Sequence, residues 1–144
     1  MKKKIHHCPV ALSVSYVGDK WTLIILRDII LFKKNRFKEF KASRGEIATN
    51  ILSNRLKMLL REGFIEVLNP LGTKKSTQYI ATDKGLATLP MIIELYLFSV
   101  HSMDLSLFTQ TELETKKELL ENPTLYKEKI LMEYRGFVQD LRNV

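Results

Sequence analysis

The side chains best suited to acting on another molecule are short, polar and gathered on one face. In "TNILSNRLKMLLR", residues 49–61, Leu52, Leu56, Leu59 and Leu60 recur at the spacing of one side of a helix. At about 100° per residue, Asn50, Asn54, Lys57 and Arg61 fall opposite that seam, with Ser53 on its edge. Ala48 and Thr49 open the same turn. Amides and hydroxyls of this length read donor and acceptor patterns on a facing surface. Their chemistry is recognition, not bond-making. A solvated helix face would look much the same, so the remaining sequence has to decide.

Other chemistry finds little support. There is no phosphate-cradling glycine-rich loop, no GxSxG elbow and no evident carboxylate pair, so no catalytic residue and no cofactor are expected. His6, His7, Cys8 and the distant His101 are the metal-ligand types present. Neighbouring residues rarely converge on one ion, and no CxxC or HxxxH spacing exists, so no metal site is expected. Cys8 is the single cysteine, which excludes an internal disulfide and fits a reducing compartment. Trp21, early in an apolar helix, suits core packing, with an effector pocket as the other reading.

A chain of 144 residues suits one domain with an appendage, and 45% hydrophobic with 27% charged residues reads as globular. The net charge of +7 is unevenly placed: residues 1–103 hold 17 Lys and Arg against 8 Asp and Glu, while residues 104–144 hold 6 against 8. The front of the chain therefore favours polyanions. The run "LIILRDIILF" is interrupted by charge and too short to span a bilayer, and "MKKKIHHCPV" lacks a signal core. A cytoplasmic location, with no membrane partner, is expected.

The elements that position the polar face follow from local signals. "CPVALSVSYVG" reads as a short helix opened by Pro9 and ended by Gly18; "DKWTLIILRDIILF" reads as a buried helix with Asp19 as N-cap. "NRFKEFKAS" gives a short third helix anchoring Phe37 and Phe40, and Gly45 lends "RGEI" its turn. The polar-faced helix then covers about 48–62, closed by Gly63. "FIEVLN" and "TQYIAT" alternate as strands around "PLGTKKS", a hairpin with Lys74 and Lys75 at its tip. Residues 83–103 return to helix, capped by Thr82 or Asp83 and kinked by Pro90. In the tail, Thr111 and Glu114 have capping-box spacing, and Asn122-Pro123 starts a last helix striped by Ile130, Tyr134, Phe137, Val138 and Leu141.

Three helices, a tight turn, another helix and a hairpin make a winged helix-turn-helix, mainly α with a small β-hairpin wing. In that arrangement the second helix of the turn enters the DNA major groove. The expected DNA-facing set is Ala48, Thr49, Asn50, Ser53, Asn54 and Lys57, with Lys74 and Lys75 on the wing and Arg36 and Arg44 flanking the third helix. Asn pairs bidentately with adenine, whereas Lys meets phosphate.

Four blocks carry a resemblance to the HxlR-type winged-helix regulators, relatives of the MarR group: "CPV" at 8–10, "GDKWTLIILRDI" at 18–29, "RFKEF" at 36–40 and "IATNILSNRLKMLLREGFI" at 47–65. "YIATDKGLATLPMI" at 79–92 is similar to the family's wing strand and its step into the dimer helix. A tryptophan common late in that helix is replaced by Phe98, and residues beyond about 103 lie outside the usual domain. The resemblance implies a homodimeric, sequence-specific regulator on a palindromic site in double-stranded DNA. It also implies N- and C-terminal dimerisation helices and a small-molecule effector. Cys8 matches the position at which several members sense oxidants or electrophiles; an inert, buried cysteine is the competing reading. The expected organisation is a DNA-binding and dimerisation domain over 1–103 and a helical extension over 104–144. The alternative function is a dimerisation or protein-interaction module without specific DNA readout.

Overall fold

The structure, a computed structural model, describes residues 8–43, 46–68, 70 and 77–143. Among the described residues, eight α-helices and one hairpin are arranged as α1 (Pro9–Val17), α2 (Lys20–Ile30), α3 (Phe37–Lys41), α4 (Thr49–Arg61), β1 (Ile65–Val67), β2 (Tyr79–Ala81), α5 (Asp83–Leu86), α6 (Leu89–Ser102), α7 (Gln110–Glu121) and α8 (Pro123–Arg142). This is the winged helix-turn-helix order expected from the sequence.

Packing starts from α2. Asp19 accepts from Thr22 N (3.0 Å) and starts the helix. Ile25, Leu26, Ile29 and Ile30 are then buried, and Leu52, Leu56 and Leu59 of α4 join them. Leu60, the fourth member of the seam in sequence, is only partly buried. The charged pair inside the apolar run of α2 is bonded through one oxygen: buried Asp28 accepts at Oδ1 from Arg27 Nε (3.0 Å) and Nη2 (2.7 Å), while Oδ2 accepts no hydrogen bond and has Lys34 Nζ 3.7 Å away.

Two glycines are used differently. Gly63 holds φ +80 just past α4, the left-handed conformation that ends a helix without a Cβ penalty. Gly18 is helical at φ −79, but a Cβ there would come within 2.6 Å of the Val14 carbonyl oxygen, so α1 turns into α2 only over a bare α-carbon. Gly45 lies outside the described residues. Glu46, which follows it, carries φ +51, a left-handed conformation that is strained for a non-glycine residue.

Two expectations are corrected. Residues 83–102 do not form one kinked helix. Pro90 has no N–H for the Leu86 carbonyl and its ring crowds it, so α5 stops at Leu86 and a second helix, α6, opens with Pro90 in its first turn. The capping box of the tail falls on Thr109 and Glu112, not on Thr111 and Glu114. Thr109 Oγ1 accepts from Glu112 N (3.2 Å), and Glu112 Oε1 accepts from Thr109 N (2.8 Å). A 3₁₀ turn over Leu105–Leu107 and an extended Phe108 deliver the chain to the helix two residues earlier, leaving Thr111 inside it.

The tail packs on its own chain. Leu119, Tyr126, Ile130 and Tyr134 belong to the same buried cluster as α2 and α4. Since Leu59 is fully enclosed, Leu59→Ala should cost about 3 kcal/mol and lower Tm by roughly 10 °C in calorimetry. An unchanged Tm would mean the α2–α4 seam is not the centre of the core.

Candidate nucleic-acid interface

The candidate recognition face is the side of α4 turned away from the leucine seam. Ala48, Thr49, Asn50, Asn54 and Lys57 are exposed, and Ser53 is half-buried beside them, so six expected positions share one surface. No acidic residue occupies the first turn of α4. Ala48 stands at the N-cap without a side-chain oxygen, so the first-turn N–H groups keep their positive ends free of a side-chain cap. Arg36 is on a different element, half-buried at the N-cap of α3. Arg44, Lys74 and Lys75 lie outside the described residues.

Short side chains can read a surface only if their helix cannot roll, and three contacts hold α4. The leucine seam sets its depth. Arg55, on the flank of the helix, donates from Nε to Asp19 Oδ2 (2.7 Å) and from Nη2 to Asp19 Oδ1 (3.1 Å), a bidentate pair that sets its rotation. The same carboxylate caps α2, so one group joins the two helices of the turn. The Arg55 guanidinium, together with the Thr22 N–H, holds the Asp19 carboxyl down at about 2, against an opposing desolvation. At the C-terminal end, Lys84 Nζ donates to the Glu62 carbonyl (2.7 Å) and lies 4.6 Å over the Phe64 ring, where a cation suits the helix dipole. Arg55 and Lys84 were not singled out in sequence. Their partners lie 36 and 22 residues away, and no spacing rule reaches that far.

The wing base is tied on its outer edge. Ile65 pairs with Ala81 and Val67 with Tyr79, antiparallel, which turns the Tyr79 and Ala81 N–H groups away from β1. Tyr79 N donates to the Asn35 carbonyl (2.8 Å) and Ala81 N to the Tyr134 hydroxyl (2.8 Å).

A second surface is apolar. Val10, Leu12, Val14 and Tyr16 of α1 and Met91, Leu95 and Phe98 of α6 are exposed, Val10 to 69% and Phe98 to 57%. Cys8 is exposed at the N-cap of α1 and makes no cap bond. Between α2, α6 and α7 lies a cleft of about 230 Å³ walled by Leu23, Ile24, Tyr96, Val100, Phe108 and Leu113. Trp21 packs half-buried against the core with Lys20 Nζ 4.7 Å over its ring, and it does not line that cleft. His101 is exposed on α6, His6 and His7 lie outside the described residues, and no three metal-ligand side chains gather among the described ones.

A sequence model of the HxlR-like helix-turn-helix family matches residues 16–105. The uncharacterized HTH-type transcriptional regulator BH0655 of Halalkalibacterium halodurans is 31% identical over 93 residues, spanning 65% of this chain and 82% of that protein. The uncharacterized regulator YdeP of Bacillus subtilis is 33% identical over 90 residues, covering 61% and 68%. Among solved structures, PA1607, assigned as a transcription factor, superposes with a TM-score of 0.62 at 32% identity, covering 70% of this chain and 69% of that one. The reduced form of the transcriptional regulator YodB from B. subtilis gives 0.53 at 25% identity, covering 65% and 92%.

The Asp19–Arg55 pair makes stability depend on pH. Asp19 titrates lower when folded than when unfolded, so its contribution is complete above about pH 4 and is lost as pH falls towards 2. Both side chains are about a third exposed, so Arg55→Ala should cost only about 1 kcal/mol at pH 7. Thermal melts of wild type and variant should converge as pH drops from 4 to 2; a gap that stays constant would remove the pair from the account.

Proposed function

This chain belongs to the HxlR-like helix-turn-helix family of DNA-binding transcriptional regulators, not enzymes, and from that premise we propose how it reads DNA. It acts as a homodimer on a palindromic operator, with α4 of each subunit in a major groove and half-sites about one helical turn apart. The observation that carries this reading is the acid-free face of α4 bearing Asn50, Ser53 and Asn54, on a helix held at three points. Asn50 and Asn54 read base edges, with Thr49 and Ser53 on base or phosphate; Lys57 and the uncapped helix start meet phosphate. Lys74 and Lys75 on the wing, with Arg36 and Arg44, add backbone contacts around it. Residues 1–103 are the DNA-binding and dimerising part. The exposed apolar residues of α1 and α6 support pairing of two copies through those helices.

The family supports action in the cytoplasm. The stretch Asp83–Ser102 has the length and apolarity of a membrane span by composition alone, but it is broken between α5 and α6 and sets Leu89, Ile92 and Ile93 into the core.

A signal enters in one of two ways. Exposed Cys8 sits at the start of α1, so its oxidation or alkylation would disturb the pairing helix. Alternatively, a small, largely apolar effector fills the cleft between α2 and α6, and α2 passes the change to α4 through Asp19.

Selection from a random DNA pool is the first test. Wild type should recover a palindrome, and Asn50→Ala/Asn54→Ala should lose or relax it, each asparagine carrying about 1–3 kcal/mol of discrimination. A single half-site would remove the dimer from the proposal. No enriched site at low salt would shift the reading to a protein-interaction module built on the apolar faces of α1 and α6. For the thiol, Cys8→Ser should abolish release from DNA by an oxidant or quinone; release at wild-type dose would end that version.

A further inference from the structure

The C-terminal extension lies beyond the family match, which ends at residue 105, yet it supplies a bond on the outer edge of the wing base. From this we infer that α8 belongs to the DNA-binding apparatus and that Tyr134 is a positioning residue for the wing. The inference rests on the DNA-binding reading above.

A hairpin of two three-residue strands has little stability of its own, and its outer edge would present unpaired N–H groups. Here that edge has no third strand among the described residues. The Asn35 carbonyl takes the Tyr79 N–H, and the Tyr134 hydroxyl takes the Ala81 N–H, replacing a strand with one backbone and one side-chain acceptor. Ala81 is buried, so water is a poor substitute.

Tyr134 is itself fixed. It is 1% exposed, its ring lies 6.0 Å from that of Phe137, and Ile130 and Tyr126 seat the same helix in the core. Arg135 Nη1 reaches Asp83 (3.5 Å) just past β2, a second and exposed contact along the seam. The two DNA-facing parts therefore have different directional anchors, although β2 also packs against α2 and is bonded to Asn35. Helix α4 is oriented by α2 through Asp19, and the wing base by α8 through Tyr134. Loosening the Tyr134 bond should free the wing while α4 keeps its place.

The test compares full-length wild type, Tyr134→Phe and Ile130→Val on one duplex across a salt series, with hydrogen exchange at the Ala81 amide. Ile130→Val trims the same helix and leaves the Tyr134 hydroxyl in place, so it reports plain destabilisation. Tyr134→Phe should keep its helical circular dichroism, speed exchange at Ala81, weaken DNA binding about tenfold and flatten the salt slope by about 1–2 units, while Ile130→Val leaves the slope alone. If Tyr134→Phe does not hold its fold, Phe137→Leu keeps the hydroxyl, loosens its support and should flatten the slope to a smaller degree. Faster Ala81 exchange with wild-type affinity and slope would overturn this inference alone. The same flattening in Ile130→Val would also overturn it. A wild type with no salt-dependent DNA binding would overturn the functional reading and this inference together.

Discussion

Recognition by short side chains, as proposed for α4, requires a helix whose depth and rotation are both set, and in this protein the Asp19 carboxylate supplies the rotation. An apolar seam alone allows a helix to roll, because dispersion and hydrophobic burial have no direction. The bidentate bond to Arg55 does have direction, and it acts from the first residue before α2, where the same carboxylate is already committed to capping. Beyond the apolar seam, this one carboxylate gives α2 a directional bond to α4. Asn50 and Asn54 then present a fixed pattern instead of a smear of orientations.

The rest of the structure can be understood as support for that face. Lys84 reaches back from α5 to the C-terminal carbonyls of α4, and Thr82 Oγ1 donates to the Gly63 carbonyl (2.6 Å), so the turn out of the recognition helix is closed from the far side of the hairpin. Helix α8 closes the other edge of the same hairpin. Residues 104–144 look like an appendage by charge and by family length, yet Leu119, Tyr126, Ile130 and Tyr134 lie in the core. Without α8, the side of α2 and α6 that it covers would face water.

What remains uncovered is as informative as what is covered. Helix α1 buries only Val17 and exposes valine, leucine and tyrosine, and α6 exposes Met91, Leu95 and Phe98. A chain that buries Tyr134 to 1% yet leaves Phe98 largely in solvent has its apolar surface arranged for something other than its own core. Cys8 stands at the edge of that surface, which is why its chemistry and the pairing of two copies are linked in the proposed function.

Much of this was legible in the sequence, because it rests on interactions within one or two helical turns. Asp19 as a cap, Thr82 or Asp83 as another, Asn122-Pro123 as the start of α8, Gly63 as the end of α4, the leucine seam with its polar opposite face, and the change to a two-residue period in the hairpin are local signals, and the structure selects Thr82. Where two local signals competed, the choice fell to the surrounding chain. Two Thr-x-x-Glu pairs overlap at 109–114, and only the approach through the 3₁₀ turn selects the first. Proline at position 90 could bend a helix or begin one, and here it begins one. The contacts that orient the site lay beyond any local reading. Arg55 finds Asp19 across 36 residues and Tyr134 finds Ala81 across 53, and nothing in either neighbourhood marks them. Local propensity and periodicity determined which segments exist and which face each would bury; only the close packing of those segments decided which polar group meets which, because a directional bond depends on the final separation of atoms that the chain itself leaves far apart.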